Sequence, residues 1–164
     1  MNVGFFRHGI AVPHGTPGVA ESERPLTPEG RKKTAQAAKG LRQLDLGFDA
    51  VYTSPLPRAQ QTAEIVAESL RLGAPKVLDA LLPGTPGRHL LDEVRSLAAK
   101  APLLVGHEPQ LSASVSLAVC GAAKGSFELK KAGLALVRFE PRSPSIRGAL
   151  ILLMSPSSLR SLAR

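Results

Sequence analysis

The sequence has little of several residue types on which large functional classes depend. It contains one cysteine, Cys120, so no intrachain disulfide can form, and the apolar stretch around the thiol (SLAVCGAA) predicts burial. No apolar run approaches the ~20 residues that span a bilayer, and the N-terminus lacks the basic and long apolar segments of a signal peptide. These absences predict a cytoplasmic protein without a membrane association.

Acidic and aromatic residues are also scarce. Lys and Arg number 21 against 13 Asp and Glu, which gives a formal net charge of +8, while Trp is absent and aromatic residues make up 4% of the chain. A positive surplus suits nucleic acid, an anionic substrate or simply a basic surface. Proteins that stack bases interleave aromatic and basic residues, and that pattern is missing. The scarcity argues against nucleic acid, although a non-enzymatic anion-binding module stays open as an alternative.

Length and hydrophobic content predict one domain over residues 1–164, since 43% of the 164 residues are hydrophobic. Strand signals lie at 2–6, 49–54, 76–82, 103–105, 133–140 and 148–155. Helix signals alternate with them at 28–44, 56–73, 88–100, 109–120 and 158–164. This order predicts an α/β three-layer sandwich: a mostly parallel central sheet, helices on both faces, and a late antiparallel strand pair joined by a turn at 141–145.

Polar side chains follow three of the predicted strands directly. Arg7 and His8 follow the first, Ser54 and then Arg58 follow the second, and His107 follows the buried run LLV. Because the carboxyl ends of parallel strands line the ligand crevice of such sheets, we expect two arginines and two histidines at one rim.

A cluster of cations repels itself unless an anion fills it. Arginine matches phosphate oxygens with paired donors, and histidine can be a neutral nucleophile or a charged donor. Gly9 would let the backbone approach a phosphate or adopt a positive φ. The sequence has no HExxH, no CxxC and no glycine-rich nucleotide loop. The pattern therefore predicts phosphoryl transfer with no metal and no cofactor.

Three motifs carry a family resemblance. FFRHG (5–9) resembles the RHG signature of the histidine phosphatase superfamily, which includes the cofactor-dependent phosphoglycerate mutases. SPLPRAQQTA (54–63) looks like the second-arginine motif of that superfamily, and LLVGHEP (103–109) looks like its second-histidine motif. The resemblance implies a phosphoglycerate mutase-like fold.

Further segments are similar to one branch, the SixA-type phosphohistidine phosphatases. They are ERPLTPEG (23–30), LLPGTPG (81–87) and LMSPSSL (153–159). Together with the superfamily motifs they extend the resemblance over nearly the whole chain. The short length of the chain leaves no room for an inserted cap, so we expect a shallow, open crevice that suits a phosphohistidine presented by a protein.

The resemblance also implies catalytic roles. His8 would attack phosphorus and carry the phosphoryl group as a phosphohistidine. Arg7, Arg58 and His107 would hold the equatorial oxygens, and Arg24 matches a further phosphate-contacting arginine of the SixA branch. Water would then hydrolyse the intermediate.

A departure from the wider superfamily bears on the substrate. Mutases and many phosphomonoesterases place an acidic Glu between the second-arginine and second-histidine motifs, but here Asp79 is the only carboxylate between Glu68 and Asp92. An alkoxide leaving group needs a proton donor, whereas the imidazole of a phosphohistidine is less demanding. The departure favours phosphohistidine on a protein, with Glu21 or Glu23 as a candidate acid and a small phosphorylated substrate as the alternative.

Other residues of the same types receive no functional role from the sequence. His14 and His89 follow no predicted strand, and Glu108 lies at a position where the branch tolerates other residues.

Overall fold

The computed structural model describes residues 1–124, 127–140 and 146–163. Its strands are β1 (Asn2–Arg7), β2 (Ala50–Thr53), β3 (Lys76–Val77), β4 (Pro102–Gly106), β5 (Leu134–Phe139) and β6 (Gly148–Met154). Its α-helices are α1 (Pro28–Gln43), α2 (Pro57–Leu70), α3 (Gly87–Ser96), α4 (Gln110–Cys120) and α5 (Pro156–Ser161). The predicted turn at 141–145 lies outside the described residues.

The strands form one sheet in the order β3-β2-β4-β1-β5-β6. Strands β1 to β4 pair in parallel, and β5 runs antiparallel to both β1 and β6. Arg7 lies opposite Gly106, and Thr53 lies opposite Val105. The predicted fold class is confirmed, and the register brings the carboxyl ends of β1, β2 and β4 side by side.

Helices cover both faces of this sheet. Alternate side chains of a strand point to opposite faces, and accordingly Phe5 packs in one core with α3 and α4, while Phe6 packs in the other with α1, α2 and α5. Both phenylalanines are fully buried. The two apolar layers hold the strands rigidly, and the loops beyond the strand ends start from fixed positions.

Local sequence patterns predict some helix ends correctly and others incorrectly. The Thr27 hydroxyl accepts a hydrogen bond from the Gly30 N–H and Pro28 opens α1, as its sequence predicts. Helix α2 ends at Leu70, before Gly73, because Arg71 takes the left-handed cap conformation at φ 57°. Helix α3 ends at Ser96, earlier than the predicted 88–100.

The predicted burial of the cysteine is wrong. Cys120 is the last residue of α4 and is exposed, because its side chain falls beyond the face that α4 packs against the sheet. An apolar neighbourhood in sequence did not determine which face of the helix the thiol occupies. Among the described helices, none is both long and apolar enough to cross a bilayer.

Candidate active site

The residues after β1 and β2 continue the parallel hydrogen-bond ladders beyond the strands. The His8 N–H donates to the Gly106 carbonyl at 3.0 Å, and the Ser54 N–H donates to the Val105 carbonyl at 3.0 Å. These bonds bring the segments after the three strand ends together. As a result the rings of His8 and His107 lie with centroids 5.1 Å apart, close enough to address one phosphoryl group.

A cleft of about 580 Å³ opens above these strand ends. Of the residues predicted from the sequence, those that line it are Arg7, His8, Glu21, Arg24, Arg58 and His107. Its other lining residues are Ile10, Ala11, Pro13, His14, Pro83, Glu108 and Lys131. We call this space the active-site cleft.

His8 is buried, and its backbone neighbour fixes its tautomer. The Nδ1 atom lies 2.7 Å from the Gly9 carbonyl oxygen, which can only accept, so Nδ1 carries the proton and donates. Nε2 is therefore the nitrogen with the free lone pair. A neutral imidazole in this tautomer is a nucleophile that needs no prior loss of a proton.

The second histidine is held by a hydroxyl group. His107 Nε2 and Ser54 Oγ share a hydrogen bond of 2.8 Å. His107 Nδ1 is buried and has no hydrogen-bond partner among the described residues. His107 itself lines the cleft, so a polar atom without a hydrogen bond lies next to this space.

Burial is the main reason that both imidazoles are neutral. It lowers the pKa of His8 from 6.5 to about 3, with His107 as the next cause and Arg58 and Arg7 adding to it. Burial likewise lowers the pKa of His107 to about 3, and the positive charges of Arg58 and Arg24 are the next largest causes. The cleft thus disfavours further positive charge, and a dianion bound there would reverse that preference.

Two of the cleft arginines share one carboxylate. Arg24 donates to both oxygens of Glu21, from Nε at 2.8 Å and from Nη2 at 2.7 Å. Arg58 is 3% exposed and reaches the Glu21 backbone carbonyl at 3.0 Å and its carboxylate at 3.4 Å. Burial, and after it the charge of Arg24, lowers the pKa of Arg58.

Glu21 is ionised in this arrangement. The hydrogen bond from Arg24 is the largest cause, and the one from His14 the next, that lowers the pKa of its carboxyl group from 4.5 to about 2. A carboxylate without its proton cannot act as an acid in the free protein. Glu23, the other candidate acid, is exposed and is not among the residues that line the active-site cleft.

Arg7 reaches the cleft from the β5 side. Its Nη1 donates to Glu128 Oε1 and to the Leu129 carbonyl, both at 2.8 Å. Its Nε is buried and has no partner within the described ranges. Arg7 is therefore oriented by the 128–129 backbone and side chain while it still lines the cleft.

Gly9 lacks the positive φ that is one of the two expectations for it. Its N–H donates to Thr62 Oγ1 at 3.0 Å. A Cβ at this position would collide with Thr34 Oγ1 on α1. Gly9 is thus a close-packing residue, and its contact with a phosphate stays a prediction.

Sequence reasoning missed several residues of the cleft. His14 contacts the Glu21 carboxylate, and Lys131 lines the cleft from the segment before β5. Glu108 lines it too, with its carboxylate accepting from the Ser112 N–H and hydroxyl. Because Glu108 follows His107 directly, the sequence could have placed it at the cleft. His14 and Lys131 lie in loop segments, and no local sequence pattern predicts that these segments reach the cleft.

Within residues 1–124, 127–140 and 146–163, no three His, Cys, Asp or Glu side chains are grouped so that they could hold a metal ion.

Two imidazoles and three guanidinium groups line one cleft at the strand ends, an arrangement suited to holding a phosphoryl group. A model of the histidine phosphatase superfamily (branch 1) matches residues 4–82. An uncharacterised protein of Picosynechococcus sp. is 38% identical over 137 residues, which cover 82% of each chain. The chain belongs to the histidine phosphatase superfamily.

One solved structure identifies the branch, and others share the fold. The protein histidine phosphatase SixA complexed with tungstate is 26% identical and superposes with a TM-score of 0.84, covering 97% of this chain and 99% of that one. A SixA-type structure from Agrobacterium tumefaciens gives a TM-score of 0.76 at 19% identity, over 94% and 97% of the two chains. An α-ribazole-5′-P phosphatase structure from Escherichia coli shares the fold, with a TM-score of 0.72 at 18% identity over 95% and 97%. Within the superfamily, the chain is of the SixA type.

Proposed function

We propose that this protein hydrolyses phosphohistidine on other proteins, without a metal, through a phosphohistidine formed on His8. The observation that carries the proposal is the state of His8. It is a buried, neutral imidazole whose Nδ1 proton is held by the Gly9 carbonyl, beside the guanidinium groups of Arg7 and Arg58.

The first step transfers the phosphoryl group to His8. Its Nε2 lone pair forms a bond to phosphorus while the bond from phosphorus to the substrate nitrogen breaks, and that nitrogen keeps the electron pair. The substrate ring leaves as a neutral imidazole when its other nitrogen already carries a proton. Arg58, Arg7 and His107 stabilise the charge on the equatorial oxygens.

The second step regenerates the enzyme. A water oxygen forms a bond to phosphorus, the bond to His8 Nε2 breaks, and the pair returns to that nitrogen. One water proton passes to solvent, and inorganic phosphate leaves. The Nδ1–H to Gly9 bond, 2.7 Å long, persists through both steps and is strengthened while the phosphorylated ring carries positive charge.

The acid–base inventory of the cleft favours a nitrogen leaving group. The carboxylates that line the cleft are Glu21 and Glu108. Glu21 is ionised by its arginine partner, and Glu108 is engaged by Ser112 at the start of α4. Neither is poised to protonate an alkoxide, which a phosphate ester would release.

The test compares substrates on one enzyme. Wild type is assayed with a phosphohistidine-containing protein and with sugar and serine phosphates, each with and without a chelator. We expect release of phosphate from the phosphohistidine protein, about a hundredfold or more lower kcat/KM on the esters, and no effect of the chelator. His8→Ala should abolish turnover. After incubation with ³²P-labelled substrate, acid-labile label on wild type but not on His8→Ala would identify the phosphohistidine intermediate.

The outcomes separate the two substrate classes. Higher kcat/KM on the esters than on the phosphohistidine protein would assign the enzyme to small molecules. Activity lost in chelator and restored by a divalent cation would refute the metal-free mechanism. His8→Ala that binds anions but retains turnover would refute the role of His8.

A further inference from the structure

A second concave surface adjoins the active-site cleft. It has a volume of about 600 Å³ and lies between α1, α5 and the segment that leads into β5. Its lining residues are Arg7, Ile10, Gly30, Lys33, Thr34, Glu128, Lys130, Lys131, Ala132, Pro156 and Arg160. We call it the basic groove.

The basic groove has more cations than its own carboxylates can neutralise. Arg7 is paired with Glu128 at 2.8 Å, and Lys33 is paired with Glu29 on α1 at 2.5 Å. Its other three basic residues form no ion pair with the part of the chain that the structure describes: Lys130, Lys131 and Arg160. The surplus is therefore positive and is available to an anionic partner.

The groove and the active-site cleft are neighbours that share part of their lining. Arg7, Ile10 and Lys131 line both. Backbone hydrogen bonds fix the wall between them: the Arg7 N–H donates to the Gly133 carbonyl at 3.2 Å, and the Ala132 N–H donates to the Arg7 carbonyl at 3.0 Å. A chain lying in the groove would thus be held at a defined distance from the neighbouring His8.

The chemistry of the lining selects among anionic macromolecules. It includes no aromatic side chain on which a base could stack. Its cations lie along a concavity, which suits an extended chain with carboxylates at intervals.

We propose that the basic groove docks an acidic segment of the phosphorylated partner protein, next to the phosphohistidine in the active-site cleft. The inference rests on the proposed function, because it concerns the partner that presents the phosphohistidine.

The experiment uses two peptides of equal length with a central phosphohistidine, one flanked by glutamates and the other by glutamines. At low ionic strength, we expect wild type to show about tenfold higher kcat/KM on the glutamate peptide, and this preference to vanish at high salt. In the Lys130→Glu/Arg160→Glu variant, the ratio of the two kcat/KM values should fall to one or below.

A matched variant controls for net charge. Lys39→Glu/Arg42→Glu makes the same charge change on the exposed surface of α1, outside the groove and the cleft. It should keep the wild-type ratio. Equal kcat/KM on both peptides with wild type, or a ratio that survives charge reversal in the groove, would overturn the proposal.

Binding measurements keep this test separate from the proposed function. If neither peptide is hydrolysed, the proposed function fails. Fluorescence anisotropy with unphosphorylated versions of both peptides still shows whether the basic groove binds an acidic segment. Tighter binding of the glutamate peptide by wild type and the Lys39/Arg42 variant, lost in the Lys130/Arg160 variant, would support it. A groove-dependent preference for a single-stranded oligonucleotide or for anionic vesicles over the glutamate peptide would overturn it.

Discussion

Glu21 places a carboxylate among the guanidinium groups that would hold a phosphoryl group. It pairs with Arg24 at 2.7 Å and reaches Arg58 at 3.4 Å. A phosphoryl oxygen that enters the cleft must share or displace these contacts. We therefore expect Glu21 in the free protein to compete with an anion for Arg24 and Arg58, and to be a poor proton donor.

Replacing Glu21 should tighten anion binding. In Glu21→Gln, the side chain can still hydrogen-bond Arg24, but its negative charge is gone. We expect the inhibition constant for tungstate or inorganic phosphate to fall about threefold, the modest effect of a half-exposed ion pair. Inhibition of phosphatase activity at neutral pH measures it.

Glu23→Gln is the matched control, because it removes the same charge from the same loop outside the cleft. It should leave the inhibition constant unchanged. A tenfold or larger fall of kcat in Glu21→Gln, with an unchanged inhibition constant, would instead identify Glu21 as the acid.

Helix α1 packs its neighbours through glycine. A Cβ at Gly30 would collide with the Ile10 carbonyl in the loop after β1, and a Cβ at Gly40 would collide with the Leu159 carbonyl in α5. Both neighbours are backbone atoms, which cannot rotate away as a side chain can. The contact at Gly40 thus sets how close α5, with Arg160 of the basic groove, lies to α1.

Gly40→Ala should destabilise the fold although alanine favours helix. Overpacking against a fixed carbonyl costs more than the propensity gain, so we expect the free energy of unfolding to fall by about 2 kcal/mol. Urea denaturation measures it. Gly73→Ala, at a site with open space around the Cβ, should change the stability little, and a Gly40→Ala protein as stable as wild type would contradict the packing argument.

Two neutral imidazoles buried in one cleft make the stability of the whole molecule depend on pH. Their pKa values are lowered to about 3 in the folded protein from 6.5. Between these values the unfolded chain binds protons that the folded protein excludes. The stabilisation is thus fully present above about pH 6.5 and is lost as the pH falls toward 3.

We expect the free energy of unfolding to decline below pH 6.5, with each imidazole contributing at most about 1.4 kcal/mol per pH unit. Urea denaturation from pH 7.5 to pH 4.5 measures the slope. His8→Asn and His107→Asn should each flatten it, whereas His89→Asn, exposed on α3, should keep the wild-type slope. An equal slope in all four proteins would show that the buried imidazoles are not its source.

The sequence by itself determined the fold class and most of the site. Buried strand patterns ending in Arg7–His8 and His107 predicted which side chains meet, because parallel strands all present their carboxyl ends at one edge of the sheet. The cap at Thr27 and Pro28 is equally local, since the hydrogen bond from Gly30 spans three residues.

Only the tertiary structure decided which side chains pair within the site and which surfaces surround it. The pairing of Glu21 with Arg24 and Arg58, the packing role of Gly9, the exposure of Cys120 and the basic groove near Lys131 had no sequence pattern of their own. Each depends on the distance or direction between groups on different loops and helices. Those are set by how the elements pack, and local spacing along the chain does not encode them.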